Sequence, residues 1–373
     1  MRDLVCISLL ALLGASGCSG ADGPRPAAGG GASPGAGASG PGAGAGATTL
    51  PTGGSTSSTG GGSTSSVAGS SSSGGATATG GATLTTAGSP GSAGAAGVGG
   101  APPITTGDGK AHVVTWVPAY HVAESKQQLA ASFGGAGMAD GLSYLALQFW
   151  ITDGAATHLD QITEADITWF HDWARQHGVK LLLCVDNNTG DWDWPAAVRS
   201  FKDNRDAFAQ HLVSQAMTRD FDGVDLDLEG IIAPTDDDQQ SYKQFVQTLA
   251  SALHPLGKVV TLDSFYAQYN APNWDWWPDL LPLVDGITSM GYEQSGLDID
   301  YQQLVDHAAA APRKLMIGVP SYKGTWQNHT VTEQLGWLVQ QGQVGAAIWD
   351  ASLSATEWRQ AGVWDQLKAI KSR

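Results

Sequence analysis

Asp222-Gly-Val-Asp-Leu-Asp-Leu-Glu229 is the stretch on which the fold turns. Side chains alternate across an extended strand, so Asp225, Asp227 and Glu229 share one face while Val224, Leu226 and Leu228 share the other. The aliphatic face calls for apolar cover. Three carboxyl groups in a row call for a polar interior or a cleft. A strand backed by helices on its apolar side, with its acids aimed into a barrel, meets both demands and puts Glu229 at the rim.

The flanking sequence fits such a barrel. From Lys110 onward, short apolar runs alternate with longer amphipathic stretches, the pattern of βα units around a parallel sheet. Eight strands are predicted, at Val113–Val117, Tyr144–Phe149, Lys180–Val185, Gly223–Leu228, Val259–Asp263, Gly286–Met290, Leu315–Val319 and Ala346–Trp349. Thr163-Glu-Ala-Asp166 reads as a helix cap, with a run to His177 and Gly178 as its stop. Further helices are expected over about Asn204–Arg219, about Asp238–Leu253 and at the C-terminus. The implied fold is α/β, a (β/α)8 TIM barrel of roughly 265 residues, near the usual size of about 250. A doubly wound open sheet would require a Gly-rich phosphate turn after its first strand. Pro118-Ala-Tyr-His121 stands there instead.

The N-terminal part has a different character. Met1-Arg2 followed by the apolar Leu4–Leu13 reads as an export signal over residues 1–17, too short to span a membrane. Ala15-Ser16-Gly17 before Cys18 resembles a bacterial lipobox, with Ala15 where a leucine is usual. Cys18 is therefore a candidate for lipidation, which would anchor the chain at the bacterial cell surface or outer membrane; cleavage and release is the alternative. From Ser19 to Gly109 the chain is almost wholly Gly, Ser, Thr, Ala and Pro. Such a segment buries too little apolar surface to offset its ordering entropy, so a disordered linker is expected over 18–109 before a folded domain at 110–373.

Of the three cysteines, Cys6 leaves with the signal and Cys18 would carry lipid, leaving Cys184 alone in the folded domain with no disulfide to form. The net charge of −16, without a basic run, argues against nucleic acid as a ligand. A neutral or weakly cationic polymer would not be repelled. Membrane contact is expected only through a lipid anchor, and the chain is expected to be a monomer.

Barrel enzymes carry their chemistry at the C-terminal ends of the strands. Trp150, Trp192, Trp194, Trp274, Trp276, Trp277 and Trp326 all follow predicted strands. At an open rim their flat faces would suit stacking on sugar rings; the other reading is that they are packing residues. The three acids would disfavour one another's ionisation in a poorly solvated barrel, so at least one is expected to hold a proton near neutrality. A carboxyl group that keeps its proton, beside carboxylates that stabilise positive charge, is what glycosidic cleavage needs. A metal site is the rival reading. Residues two apart on a strand are about 6.6 Å apart and residues four apart about 13 Å, so Asp225 and Glu229 cannot share one ion. No metal and no organic cofactor are expected.

Asp222–Glu229 resembles the D-G-x-D-x-D-x-E signature of glycoside hydrolase family 18, the chitinases and endo-β-N-acetylglucosaminidases. Met290-Gly-Tyr-Glu293 is similar to the family's M-x-Y-D. Lys314-Leu-Met-Ile-Gly-Val-Pro-Ser-Tyr322 is similar to its K-x-x-x-G-x-P-x-Y, and Trp349 matches the tryptophan ending its last strand. The resemblance implies a retaining endo-hydrolase of β-1,4-linked N-acetylglucosamine glycans, with chitin or chito-oligosaccharides foremost. It implies that Glu229 is the acid/base, that Asp227 orients the substrate's acetamido group, that Asp225 holds Asp227 and that Tyr292 donates to the acetamido oxygen. It further implies that Trp349 floors the cleavage point and that Met290, Glu293, Trp116 and Tyr322 contact substrate. Three features depart from the family pattern. Cys184-Val-Asp-Asn187 stands where the family has S-x-G-G, bringing a weak thiol donor beside Asp225 and a further acid, Asp186, to the rim. Glu293 replaces the usual aspartate. The segment from Gly318 to Ala346 is too short for the small inserted domain of many processive members, which implies an open groove. A catalytically inactive lectin on the same barrel, and an endo-β-N-acetylglucosaminidase acting on peptidoglycan or N-glycans, are the alternatives.

Overall fold

The computed structural model describes residues 108–154, 157–159, 162–190, 192–230, 234–264, 274–290, 292 and 300–373. The expected signal, Cys18, nearly all of the expected linker and Glu293 lie outside the described residues.

Eight parallel strands form the frame: β1 Val113–Pro118, β2 Tyr144–Thr152, β3 Lys180–Asp186, β4 Gly223–Asp227, β5 Val259–Ser264, β6 Gly286–Ser289, β7 Leu315–Pro320 and β8 Gly345–Trp349. Each pairs with the next, and β1 pairs with both β2 and β8, so the sheet closes on itself. A helix follows each strand: α1 Val122–Leu129, α2 Glu164–His177, α3 Arg205–Thr218, α4 Asp236–Leu253, α5 Trp277–Leu280, α6 Tyr301–His307, α7 Val331–Gln341 and α8 Ala361–Lys371. The architecture is the expected (β/α)8 barrel.

Local chemistry sets the helix ends. Thr163 caps α2 by accepting from the Asp166 N–H, while the Asp166 side chain returns to Thr163, and Gly178 ends the helix at φ 64°. Thr235 and Asp238 repeat this reciprocal cap, so α4 starts at Asp236 and Asp238 serves as the cap's third residue rather than the helix start. Thr330 and Glu333 do the same for α7.

Strand ends fall within one residue of expectation except at the end of β2, and two of the differences bear on the site. β2 runs on to Thr152 because, past a bulge at Gln148/Trp150, it pairs with a short antiparallel strand at Thr157–Leu159. β4 leaves the ladder after Asp227, so Leu228 and Glu229 continue beyond the sheet.

The apolar core forms an outer layer and an inner one. Val224, Leu226 and Leu228 join the helix-facing layer with Phe245 and Leu249 of α4. Val114, Trp116, Tyr144, Ala146, Leu182, Cys184, Met316 and Ala347 form the inner cluster. The expectation of a tryptophan-lined rim is not met. Trp150, Trp194, Trp276, Trp277 and Trp326 are buried in the outer layer, where other aromatics cover them. Trp150 stands edge-on to Phe221 at 5.2 Å, Trp276 packs 5.7 Å from Tyr242, and Trp326 stacks on Trp358 at 6.2 Å. Each indole has more apolar area to hide than a rim position leaves covered, and the helices supply partners. Trp192 is half-buried, and the Trp274 side chain lies outside the description.

Gly223, at the start of β4, marks a close approach of strands. A Cβ there would run into the Val259 carbonyl oxygen and lie 2.5 Å from Val259 Cγ2. Gly223→Ala must therefore push β5 away from β4, and a loss of about 1–3 kcal/mol is expected. Urea unfolding followed by circular dichroism measures it; an unchanged midpoint would contradict the tight β4–β5 contact.

Candidate active site

β4 delivers Asp225 and Asp227 into the barrel, and both are 1% exposed. Asp225 is held from two sides. The Trp116 indole N–H donates to its Oδ2 at 2.8 Å, and the Thr261 hydroxyl donates to its Oδ1. Strand register sets Cys184 beside Asp225 and Asp186 beside Asp227. One level higher, the Gln148 amide donates to Asp227 Oδ2 at 2.7 Å.

Glu229 sits past the end of the ladder, where its backbone has no strand partner. Asn187 takes that place: its Oδ1 accepts from the Glu229 N–H at 2.8 Å and its Nδ2 donates to the Glu229 carbonyl at 2.7 Å. The same Nδ2 also donates to the Asp193 carbonyl at 3.0 Å. One buried amide therefore fixes Glu229 on both sides of its Cα. Trp194 packs over Gly230, where a Cβ would collide with it.

The structure adds a fourth acid that the sequence analysis did not single out. Asp263 of β5 is 1% exposed and stands level with Asp227, since Leu226 pairs with Leu262 one residue earlier on each strand. Among the described residues no Lys, Arg or His side chain pairs with Asp225, Asp227 or Asp263. Burial therefore governs their protonation. It raises Asp225, pushes Asp227 up to about 7 from the ordinary 3.8, and lifts Asp263 well above the ordinary carboxyl range. The charge of Asp225 adds to the rise at Asp227, while the hydrogen bonds of Asp227 with Glu229 and Gln148 oppose it. Burial likewise raises the Cys184 thiol.

The aromatic side of the site gathers Met290, Tyr292 and Trp349 into one small cluster. Tyr292 is buried against Gly318, where a Cβ would stand 2.8 Å from its ring. Its hydroxyl has no hydrogen-bond partner among the described residues, and the same holds for Asp227 Oδ1. Trp349 is half-exposed, its ring 5.9 Å from that of Trp116. Tyr322 is half-buried. Trp116, expected to contact substrate, is 1% exposed and committed to Asp225; its place is beneath the acids, because only the strand-one position facing the axis reaches that carboxylate.

Strand parity carried a signal for the missed groups. In Val259-Val-Thr-Leu-Asp263, Thr261 and Asp263 share one face, and polar residues at alternate positions of an otherwise apolar strand mark an inward polar wall. Gln148 on β2 follows the same rule. The distance argument against a metal considered one strand only. Across strands, ligand atoms of Cys184, Asp227 and Asp263 lie within 4.8 Å of one another, and these buried groups are the ones with the chemistry to hold a cation.

Comparison with known proteins agrees with this geometry. The family model described as Glycosyl hydrolases family 18 matches residues 113–371. No curated protein matches the chain by sequence. Among solved structures, a chitinase from Chromobacterium violaceum is similar at 16% identity and TM-score 0.54, over 70% of this chain and 99% of that one. The spore cortex-lytic enzyme SleL of Bacillus cereus is similar at 14% identity and TM-score 0.53, over 70% of this chain and 74% of that one. Catalytic domain 2 of the Ostrinia furnacalis Group II chitinase, solved with (NAG)5, is similar at 14% identity and TM-score 0.51, over 69% of this chain and 96% of that one. At these identities the likeness is one of fold.

The raised Asp227 makes stability depend on pH. Folded, this carboxyl keeps its proton up to about pH 7, whereas the unfolded chain releases it near 3.8. Its contribution is thus present in acid and lost as pH rises through about 7. The melting temperature is expected to fall between about pH 5 and pH 8, and to fall less in Asp227→Asn, which has no proton to lose. Differential scanning fluorimetry across that range checks both; equal slopes would show that Asp227 ionises normally.

Proposed function

We propose that this chain, which belongs to glycosyl hydrolase family 18, cleaves β-1,4-linked N-acetylglucosamine glycans internally and with retained configuration, using the substrate's acetamido oxygen as nucleophile. The observation that carries this reading is a complementary pair of buried atoms without partners among the described residues: the acceptor Asp227 Oδ1 and the donor Tyr292 Oη. An acetamido group offers one N–H and one carbonyl oxygen. Asp227 accepts the first and Tyr292 donates to the second, which presents the carbonyl oxygen to the anomeric carbon.

In this mechanism Glu229 gives its proton to the leaving glycosidic oxygen and then takes one from the attacking water. Asn187 keeps its backbone in place meanwhile. Asp227 stabilises the charge that grows on the acetamido nitrogen, and Asp225 holds Asp227 in position. Trp349 floors the reacting sugar, with Met290, Tyr322 and Glu293 around it. Chitin and chito-oligosaccharides are the first substrates to test, since the net charge of −16 does not repel a neutral polymer. A lectin would have no use for an acid held as Glu229 is.

Glu229→Gln keeps the shape but has no proton to give, so hydrolysis should fall by about 10²–10⁴-fold with substrate binding retained. Wild-type protein should release the β-anomer first from N-acetylated β-1,4 oligomers, and deacetylated oligomers should be slower by orders of magnitude. NMR of fresh products and rates on matched oligomers provide the readout; an initial α-anomer or comparable rates would refute the acetamido mechanism.

We also propose that the chain is exported and anchored through lipid on Cys18, a reading supported by the apolar Leu4–Leu13 and by Ala15-Ser16-Gly17. Cys18→Ser should then move the protein from the membrane to the soluble fraction. Unchanged fractionation would contradict the anchor.

A further inference from the structure

We propose that His121 is a positioning residue for Trp349: through Asp350 it ties the turn after β8 to the end of β1, and so fixes the aromatic floor on which the reacting sugar rests. The role given to Trp349 is that of the function proposed above. His121 ends the short turn Ala119–His121 that follows β1, and Asp350 directly follows Trp349 at the end of β8. These are the two strands whose pairing closes the barrel. His121 Nδ1 lies 2.9 Å from Asp350 Oδ2, and the Asp350 side chain is only 7% exposed. A carboxylate can only accept, so the imidazole Nδ1–H is the donor.

The rest of the turn is held as closely. Asp350 Oδ1 accepts from the Ser352 N–H at 2.7 Å, the Asp350 N–H donates to Ser321 Oγ at 2.7 Å, and the Ser321 hydroxyl donates to the Asp350 carbonyl at 2.7 Å. The Ser321 N–H donates to the Trp349 carbonyl at 2.6 Å, and the Ala351 N–H donates to the Trp116 carbonyl at 2.8 Å. The backbone on which Trp349 stands is thus clamped between β1 and the end of β7. Its ring is only partly buried, in a small cluster with Met290 and Tyr292, so the angle of the indole depends on that backbone. Asp350 Oδ2 has no donor besides His121 among the described residues. Without the imidazole, a buried carboxylate oxygen is left unpaired, and its relief is to turn toward water, taking the turn and Trp349 with it.

The tie is strongest while the imidazole is charged, because a hydrogen bond between two ions is roughly twice as strong as a neutral one. Asp350 after β8 and Glu124 of α1 are the charged groups that face His121, and the Tyr120 ring stands edge-on to it at 4.6 Å. The hydrogen bond to Asp350 raises the imidazole above its ordinary 6.5 against the opposing effect of burial, and the charges of Asp350 and Glu124 add to the rise. A raised group contributes in acid and loses its contribution as pH climbs through the raised value. The neutral imidazole still offers Nδ1–H, so the tie slackens in alkali without breaking. His121 thus acts on the floor through Asp350.

The test labels the full chain with fluorotryptophan and follows the Trp349 resonance by fluorine NMR, assigned by its loss in Trp349→Phe. The His121 side chain is 24% exposed at the rim, so replacing it spares the core. His121→Ala should displace or broaden the Trp349 resonance, while His121→Asn, whose amide N–H stands in for Nδ1–H, should keep it near the wild-type position. On N-acetylated β-1,4 oligomers His121→Ala should raise KM about fivefold or more with kcat within a factor of about two, because a floor shared by ground and transition states is uniform binding. His121→Asn should restore most of that KM. Between about pH 6 and pH 8.5 the wild-type KM should rise more steeply than that of His121→Asn, which has no charge to lose; Asp227 titrates in both and drops out of the comparison. An unmoved Trp349 resonance in His121→Ala, an Asn variant displaced as far as the Ala variant, or equal pH slopes would overturn the proposal. The kinetic arm rests on the function proposed above; the NMR arm does not. A displaced resonance together with an active Glu229→Gln enzyme would uphold the tie and refute the catalytic reading.

Discussion

Asp225, Asp227, Asp263 and Glu229 are buried together in the barrel, with Asp186 beside Asp227, and among the described residues no Lys, Arg or His side chain pairs with Asp225, Asp227 or Asp263. Charge of one sign in a dry space is tolerated only when protons and hydrogen-bond donors replace water. The interior is arranged to supply them. Trp116 of β1, Gln148 of β2 and Thr261 of β5 reach the acids of β4 from three other strands. A closed barrel is the architecture that lets four strands converge on one carboxyl cluster, so fold and site answer the same constraint.

Asp222–Glu229 made much of this legible before any coordinates. Strict alternation set three acids against three aliphatics, and the helix-facing place of Val224, Leu226 and Leu228 follows it. The eight strands were readable because a parallel sheet covered on both faces writes itself as short apolar runs. What was not readable is what depends on neighbours across strands. Asp263 looks unremarkable as the end of an apolar run, and becomes the neighbour of Asp227 only once Leu226 is seen to pair with Leu262. The tryptophans misled for a related reason. Sequence places Trp150 or Trp326 after a strand, but whether an indole turns to the groove or to the helices is decided by the aromatic partner waiting there.

The glycines of the motifs have packing roles that a motif alone does not state. Gly223 lets β5 approach β4 closely enough for Thr261 to reach Asp225. Gly318 makes room for the Tyr292 ring, and Gly230 makes room for Trp194 directly after Glu229. In each case the missing Cβ brings a functional side chain within reach of its neighbours, which ties the glycines to chemistry they do not themselves perform.

Asn187 shows how a departure from the family pattern can serve the same end. Small residues at that position would let the chain pass close to β4, but they would offer Glu229 nothing to bind. Glu229 lies one residue beyond Leu228, outside the ladder, so sheet pairing cannot fix its N–H and carbonyl, and a buried backbone group left unpaired costs about 1–3 kcal/mol. An amide side chain is the one common group that presents a donor and an acceptor side by side, and Asn187 spends both on Glu229. The proton donor is thereby held by a neighbouring strand rather than by its own. Its orientation then depends on β3 and β4 keeping their register, the same register that sets Cys184 beside Asp225 and Asp186 beside Asp227. A slip of one residue between these two strands would undo the clamp and the acid cluster together, because both are read from a single ladder.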